Sequence, residues 1–301
     1  MTAAAPRGDL SPEAISRLSR LDLVARLVVE GFITGLHRSP YHGFSVEFSE
    51  HRPYLPGDSL RHLDWKAYAK SGRPVIKQYE EETNLRAYLL VDTSGSMAYA
   101  AGGPWSKFRY AAALAAALAH LLLRQRDAVG LALFREHIDT LVPPRSLPSH
   151  LQVLLRAIEQ TQPAADTGIA QAFLELAERI TRRGLVVVLS DLLDDPGQVL
   201  QGLKYLRHRG HEVIVFQILD PRERDLELGH QARFFDLEAP AQVLSTQPGH
   251  LRVEYQAMMA DLVRQYRQGC ADARIDYALL DTTTPFDQAL SHYLVRRQRL
   301  G

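Results

Sequence analysis

The sequence predicts an α/β fold, a doubly wound, mostly parallel sheet with helices on both faces, joined by a small N-terminal α+β subdomain. Three observations predict it. From Leu85 onward short apolar runs recur without polar alternation, as strands buried on both faces require. Longer amphipathic stretches separate those runs and are of a length to be crossover helices between parallel strands. The 301 residues, 46% hydrophobic and 23% charged, have an ordinary globular composition with ample chain to bury a core.

Taken in order, residues 1–20 read as an N-terminal tail and 21–84 as the subdomain, leaving 85–301 for the main domain with its C-terminal helices. Ser11, Pro12 and Glu13 supply an N-cap, a first helical position and a first-turn acid. The helix they open has apolar positions at Ile15, Leu18, Leu21, Val24, Leu27 and Val28. Alternation at Phe44, Val46 and Phe48 reads as a half-buried strand. A dense mixed-charge segment follows, with turn signals at Pro56-Gly57 and Ser71-Gly72. Strands are expected at Leu85 to Val91, Val129 to Phe134, Leu185 to Leu189, Val213 to Leu219 and Arg274 to Leu280. Helices are expected at Trp105 to Arg124, Pro148 to Gln160, Gly168 to Arg182 and Pro196 to Arg209. The run HIDTLV follows the second strand after only two residues, so it should form an antiparallel edge hairpin. Positions Leu251, Tyr255, Met258, Met259, Leu262, Val263 and Tyr266 recur at helical spacing, and a closing helix is expected from Pro285.

Composition narrows function mainly by exclusion. With 35 Lys+Arg against 35 Asp+Glu there is no excess of positive charge of the kind nucleic-acid binders carry. Trp65, Tyr54 and Tyr68 stand among basic residues, but Asp58, Asp64 and Glu80 to Glu82 interleave with them, which favours internal salt bridges over a stacking surface. Cys270 is the only cysteine, so neither an intrachain disulfide nor a cysteine cage for a metal is available. The opening MTAAAPRGDLSPEA does not read as a secretory signal. The most apolar stretch, Tyr110 to Leu123, falls short of the roughly 20 residues that cross a bilayer. A cytoplasmic protein without a membrane span is the expectation. No GxxxxGK[ST] run is present, so ATP hydrolysis through a Walker loop is not expected, and HEVIV at His211 lacks the second histidine of a zinc protease motif.

The chemistry-bearing run is Asp92-Thr93-Ser94-Gly95-Ser96-Met97, placed where the first buried strand ends. Open α/β sheets bind ligands at the carboxyl ends of their strands. Carboxylate and hydroxyl oxygens suit a hard cation such as Mg²⁺. Two hydroxyls and one carboxylate are too few to hold it alone, so neighbouring loops must contribute. Thr167, ahead of a helix, and Asp191, directly after LVVVL, stand where topology would bring them in. Each has a plainer alternative: Asp166 or Thr167 as the cap of that helix, and Asp191 as a loop acid or a cap near Pro196. A metal-assisted hydrolase of the phosphatase type, using Asp92 and later acids such as Asp194 and Asp195, is a second reading. Its motif wants a carboxylate two positions after the first, where this chain has Ser94.

The run DTSGSM resembles the DxSxS motif of von Willebrand factor A-like domains, whose metal-ion-dependent adhesion site adds a threonine and an aspartate from two later loops. The resemblance implies that Asp92, Ser94, Ser96, Thr167 and Asp191 hold Mg²⁺, or Mn²⁺ or Ca²⁺ in its place. The family usually has glycines before the threonine, and here the run is Ala164-Ala165-Asp166. More specifically, HGFSVEFSEHRPYLPGDSLRHLDWKAYAKSGRPVIKQYEEET followed by DTSGSM is similar to the bacterial family labelled domain of unknown function 58. That resemblance implies partnership with a MoxR-type AAA+ ATPase in a chaperone-like or assembly role, and a client protein that offers a carboxylate.

Overall fold

A computed structural model describes residues 11–15, 20–37, 51–53, 68, 72, 75–77, 85–164, 168–226, 232–235, 243–246 and 248–298. Six strands form the main sheet: β3 (Arg86–Asp92), β4 (Ala128–Phe134), β5 (Ile138–Arg145), β6 (Leu185–Ser190), β7 (Glu212–Leu219) and β10 (Asp276–Asp281). Their order across the sheet is β10-β7-β6-β3-β4-β5. All neighbours are parallel except β4 and β5, the expected edge hairpin. Two small antiparallel pairs lie outside it, β1 (His51–Pro53) with β2 (Val75–Lys77) and β8 (Ala232–Phe235) with β9 (Val243–Thr246).

The uninterrupted apolar runs have a direct explanation in the two cores. In β3, Ala87, Leu89 and Val91 face one core and Tyr88 and Leu90 the other; in β6, Leu185, Val187 and Leu189 divide from Val186 and Val188 in the same way. Both faces of these strands are therefore dry, and no polar alternation survives. Helices α3 (Lys107–Arg124), α4 (His150–Glu159) and α9 (Phe286–Gln298) cover the first face together with α2 (Leu21–His37). Helices α5 (Ile169–Arg179), α6 (Pro196–His208) and α8 (Pro248–Asp272) cover the second. A short α1 (Pro12–Ile15) precedes them, and α7 (Pro221–Asp225) follows β7.

Helix α3 is buried on nearly every side. Residues Tyr110 to Ala119 are all at most 3% exposed, because α2 lies on the helix opposite the sheet. Alanine at so many positions lets both neighbours approach closely. Tyr110 stacks on Phe286 of α9 at 4.8 Å between ring centroids, and its hydroxyl donates to the Thr284 carbonyl.

Several local expectations are corrected. The N-terminal helix is described as α1 and α2, with 16–19 outside the described residues, and Leu27 points outward at 43% exposure while Val24, Val28 and Phe32 are buried. In α8, Met258 is 59% exposed and Leu251 42%; the buried positions are Met259, Tyr266 and Cys270. The strand read at Phe44 to Phe48 lies outside the described residues. At Gly102 and Gly103 neither φ is positive, so conformational freedom does not account for the pair. Close approach is the reason instead: a Cβ on Gly102 would lie 2.7 Å from Asp220 Oδ1, and one on Gly103 3.0 Å from Thr282 Oγ1.

Candidate functional site

The chain runs from β3 outward to β4 and β5, then returns to lay down β6 on the other side of β3. The carboxyl ends of β3 and β6 therefore flank a topological switch point, where open sheets form crevices. Asp92 closes β3, and Ser190 and Asp191 stand at the end of β6. All three are buried, with Asp92 and Ser190 at 0% and Asp191 at 1% exposure.

The two strand ends are tied together by side chains. The Ser94 N–H donates to Asp92 Oδ1 at 2.8 Å, folding the DTSGS turn back on its own carboxylate. The Ser190 hydroxyl donates to Asp92 Oδ2 at 2.5 Å and accepts the Leu192 N–H at 2.9 Å. Ser94 and Ser96 bring their hydroxyls to 3.1 Å, and Ser96 donates to Asp191 Oδ2 at 2.7 Å. Of the five residues read from the sequence, Asp92, Ser94, Ser96 and Asp191 thus converge. Thr167 lies outside the described residues. The loop that leads to it is held at the site, because Ala164 forms a parallel bridge with Ser94 and donates its N–H to the Thr93 carbonyl at 3.0 Å.

The plainer roles weighed for these acids fall to their neighbours. Gly168 is the N-cap of α5, and Asp194 Oδ2 accepts the Ile169 N–H there at 3.1 Å. Asp195 caps α6 by accepting from the Gln198 N–H at 2.8 Å. Asp191 caps no helix.

Residues that the sequence reading did not single out hold Asp191 in place. Gln217, a polar residue buried within β7, donates to the Asp191 carbonyl at 2.9 Å, and the Tyr277 hydroxyl in turn donates to Gln217 Oε1. Tyr266 of α8 donates to the Leu192 carbonyl at 2.9 Å. Leu192 itself has φ +54, a left-handed conformation uncommon for a leucine. Most unexpected is Lys107, fully buried at the start of α3. Its ammonium donates to Asp191 Oδ2 at 2.7 Å and to Glu223 of α7 at 2.6 and 2.8 Å. A lysine in the first turn of an amphipathic helix carries no signal of burial; only the one-residue polar interruption of VIVFQIL, at Gln217, marked any of these positions.

The electrostatics follow from crowding. Burial, and then the charge of Asp191, raises the Asp92 pKa, against hydrogen bonds from Ser190 and Ser94 that lower it. Burial alone would lower the Lys107 pKa, but the charges of Asp191 and Glu223 outweigh it and the pKa is raised. Burial also raises Glu223, with Lys107 opposing, so the ion pair does not fully offset the loss of water around that carboxylate.

Among the described residues no three His, Cys, Asp or Glu side chains converge as a metal cluster, so an ion here would depend on the serine hydroxyls as well as on Asp92 and Asp191. That donor set fits a hard divalent cation, being all oxygen. Ser96 gives its proton to Asp191 and so accepts from the Ser94 hydroxyl, which leaves one lone pair available.

A doubly wound α/β sheet with an antiparallel edge and a DxSxS turn at its switch point gives the chain a fold of the von Willebrand factor A-like kind. The chain belongs to the DUF58 family of proteins of unknown function, whose model matches residues 50–277. It is 32% identical over 225 residues to the uncharacterized protein Rv1480 of Mycobacterium tuberculosis, covering 73% of this chain and 70% of that one. It is 25% identical over 178 residues to the uncharacterized protein YeaD of Bacillus subtilis, covering 59% and 40% respectively. Among solved structures it is similar to the conserved hypothetical protein BatB from Bacteroides thetaiotaomicron, at 17% identity and a TM-score of 0.47 over 71% of this chain and 99% of that one. An aerotolerance-related membrane protein from Bacteroides fragilis is similar at 18% identity and a TM-score of 0.46, over 70% and 99%. Among the described residues of the present chain, no helix is long and apolar enough to cross a membrane.

Proposed function

We propose that this chain is a metal-dependent protein–protein interaction module of the adhesion-site type, acting with a MoxR-type AAA+ ATPase in a chaperone-like or assembly role. The observation that carries the proposal is the meeting of two strand ends: Ser96, four residues after Asp92, donates to Asp191 at 2.7 Å. Asp92, Ser94, Ser96 and Asp191, with Thr167 from the loop beyond Ala164, would hold Mg²⁺, or Mn²⁺ or Ca²⁺ in its place. When bound, the ion supplies an open position for a carboxylate of the partner or client.

The chain's own residues prepare that position. Ser190 and the Ser94 N–H fix both oxygens of Asp92, while Gln217 and Tyr266 fix the backbone on either side of the Asp191–Leu192 peptide. Preorganised donors bind with little further loss of freedom. Asp92 is inaccessible and doubly hydrogen-bonded, which supports a role as a site-shaping carboxylate over one as a nucleophile. The ATPase assignment rests on family membership.

A pull-down of the ATPase, repeated with EDTA and with Asp92→Ala, tests the reading. Association lost under both treatments is expected. Association indifferent to both would sink the adhesion-site mechanism, and metal-dependent turnover of a phosphoester, abolished in Asp92→Ala, would replace it with a hydrolase.

A further inference from the structure

We infer that Lys107 is a resident counter-ion that competes with the divalent cation for Asp191, with Glu223 as its second seat; the inference rests on the metal reading above. The Lys107 side chain is completely shielded from solvent. An ammonium has three protons to donate, and here one goes to Asp191 Oδ2 while two go to Glu223. The Tyr99 ring, 5.9 Å from Nζ, adds its face to the enclosure.

Lone-pair counting makes the competition specific. Asp191 Oδ2 already accepts from both Ser96 and Lys107, which fills it, and Oδ1 accepts the Leu193 N–H at 3.2 Å. A cation that settles against the serine hydroxyls gains Asp191 Oδ2 only as Ser96 or Lys107 lets it go, and of these two donors Lys107 is the charged one that the cation repels. Glu223 makes that release affordable, because both of its oxygens already contact the ammonium. Its position is fixed in turn by the capping box of α7, in which Asp220 also accepts the Ala101 and Gly102 N–H groups at 2.9 and 2.8 Å. Lysine and metal thus share one carboxylate from opposite sides, and the balance between Asp191 and Glu223 sets the affinity.

The two ends of this balance give opposite signs. Lys107→Met removes the competitor, so the affinity for Mn²⁺ alone, measured by calorimetry on the full chain, should rise about tenfold. Glu223→Gln leaves the ammonium with Asp191 as its one charged partner, so affinity should fall by about the same factor. Opposite shifts support the inference. Affinities unchanged within about twofold, or lowered in both variants, overturn it while leaving the metal reading intact. If Lys107→Met does not fold, Glu223→Gln decides alone: weaker binding supports the inference, and unchanged or tighter binding overturns it. Absence of Mn²⁺ binding in the wild type and in both variants would overturn the metal reading and this inference with it.

Discussion

Acidification is expected to weaken divalent-cation binding, and Asp92 sets where. Its carboxyl is wholly buried; that burial, followed by the nearby charge of Asp191, pushes its pKa from 3.8 up to about 7. A cation binds the ionised form, so apparent affinity follows the ionised fraction of the metal-free protein. About nine tenths are ionised at about pH 8 and about one tenth at about pH 6, so the Mn²⁺ dissociation constant should rise about tenfold over that interval, or about 1.4 kcal/mol. An aspartate of ordinary pKa would give no change. Calorimetry in two buffers of different ionisation enthalpy reads both the affinity and the protons released, which should approach one per ion at about pH 6 and fall towards zero at about pH 8. The sign for folding follows from the same shift. The native metal-free chain holds this proton more tightly than the unfolded chain, so the contribution of Asp92 to stability is fully present below 3.8 and is lost as pH rises through about 7. An Mn²⁺ affinity that is constant across the interval, with no proton released, would refute the claim that buried Asp92 serves the ion.

Three further outcomes are expected. In Gly184→Ala the new Cβ would run into the Arg86 carbonyl oxygen, where β6 starts beside β3; stability should drop by about 2 kcal/mol, seen as a thermal midpoint several degrees lower, and an unchanged midpoint would contradict the packing. Tyr266→Phe deletes the hydroxyl that holds the Leu192 carbonyl, so urea unfolding should show a loss of about 1 kcal/mol and Mn²⁺ binding should weaken; equality with wild type in both would remove Tyr266 from the site's support. Phe173→Ala empties a fully buried position that packs on Phe134 at 5.5 Å, at an expected cost of about 3–5 kcal/mol by chemical denaturation, whereas a loss near zero would mean that the second core collapses around the gap.

The sheet was legible because its physics is local. Leu185 to Leu189 is a strand buried on both faces, and such a strand shows itself as an unbroken apolar run; the short link to HIDTLV announced a hairpin for equally local reasons. Four of the five candidate site residues were legible on the same ground, since Asp92, Ser94 and Ser96 lie within one short turn, and Asp191 follows the strand adjacent to β3. The rest depends on long-range juxtaposition. Lys107 meets residues 84 and 116 positions away, and Tyr266 reaches back 74, so nothing in either local pattern distinguishes them from a solvated lysine or a core aromatic. The α8 stripe was misread for a related reason: a helix with Met258 and Leu251 exposed has more apolar residues than its contact face can take.

The encasement of α3 constrains how the chain can be made. Helix α2 leaves the ribosome before its partner α3, which starts about 70 residues after α2 ends. During that interval Val24, Val28 and Phe32, which end up dry against α3, have no finished surface to meet. The Tyr110 end of α3 waits in turn for α9, which supplies Phe286. Helices α2 and α9, far apart in sequence, therefore close over the same central one, so native packing on this face is a late event, and removal of either helix would uncover the same apolar surface.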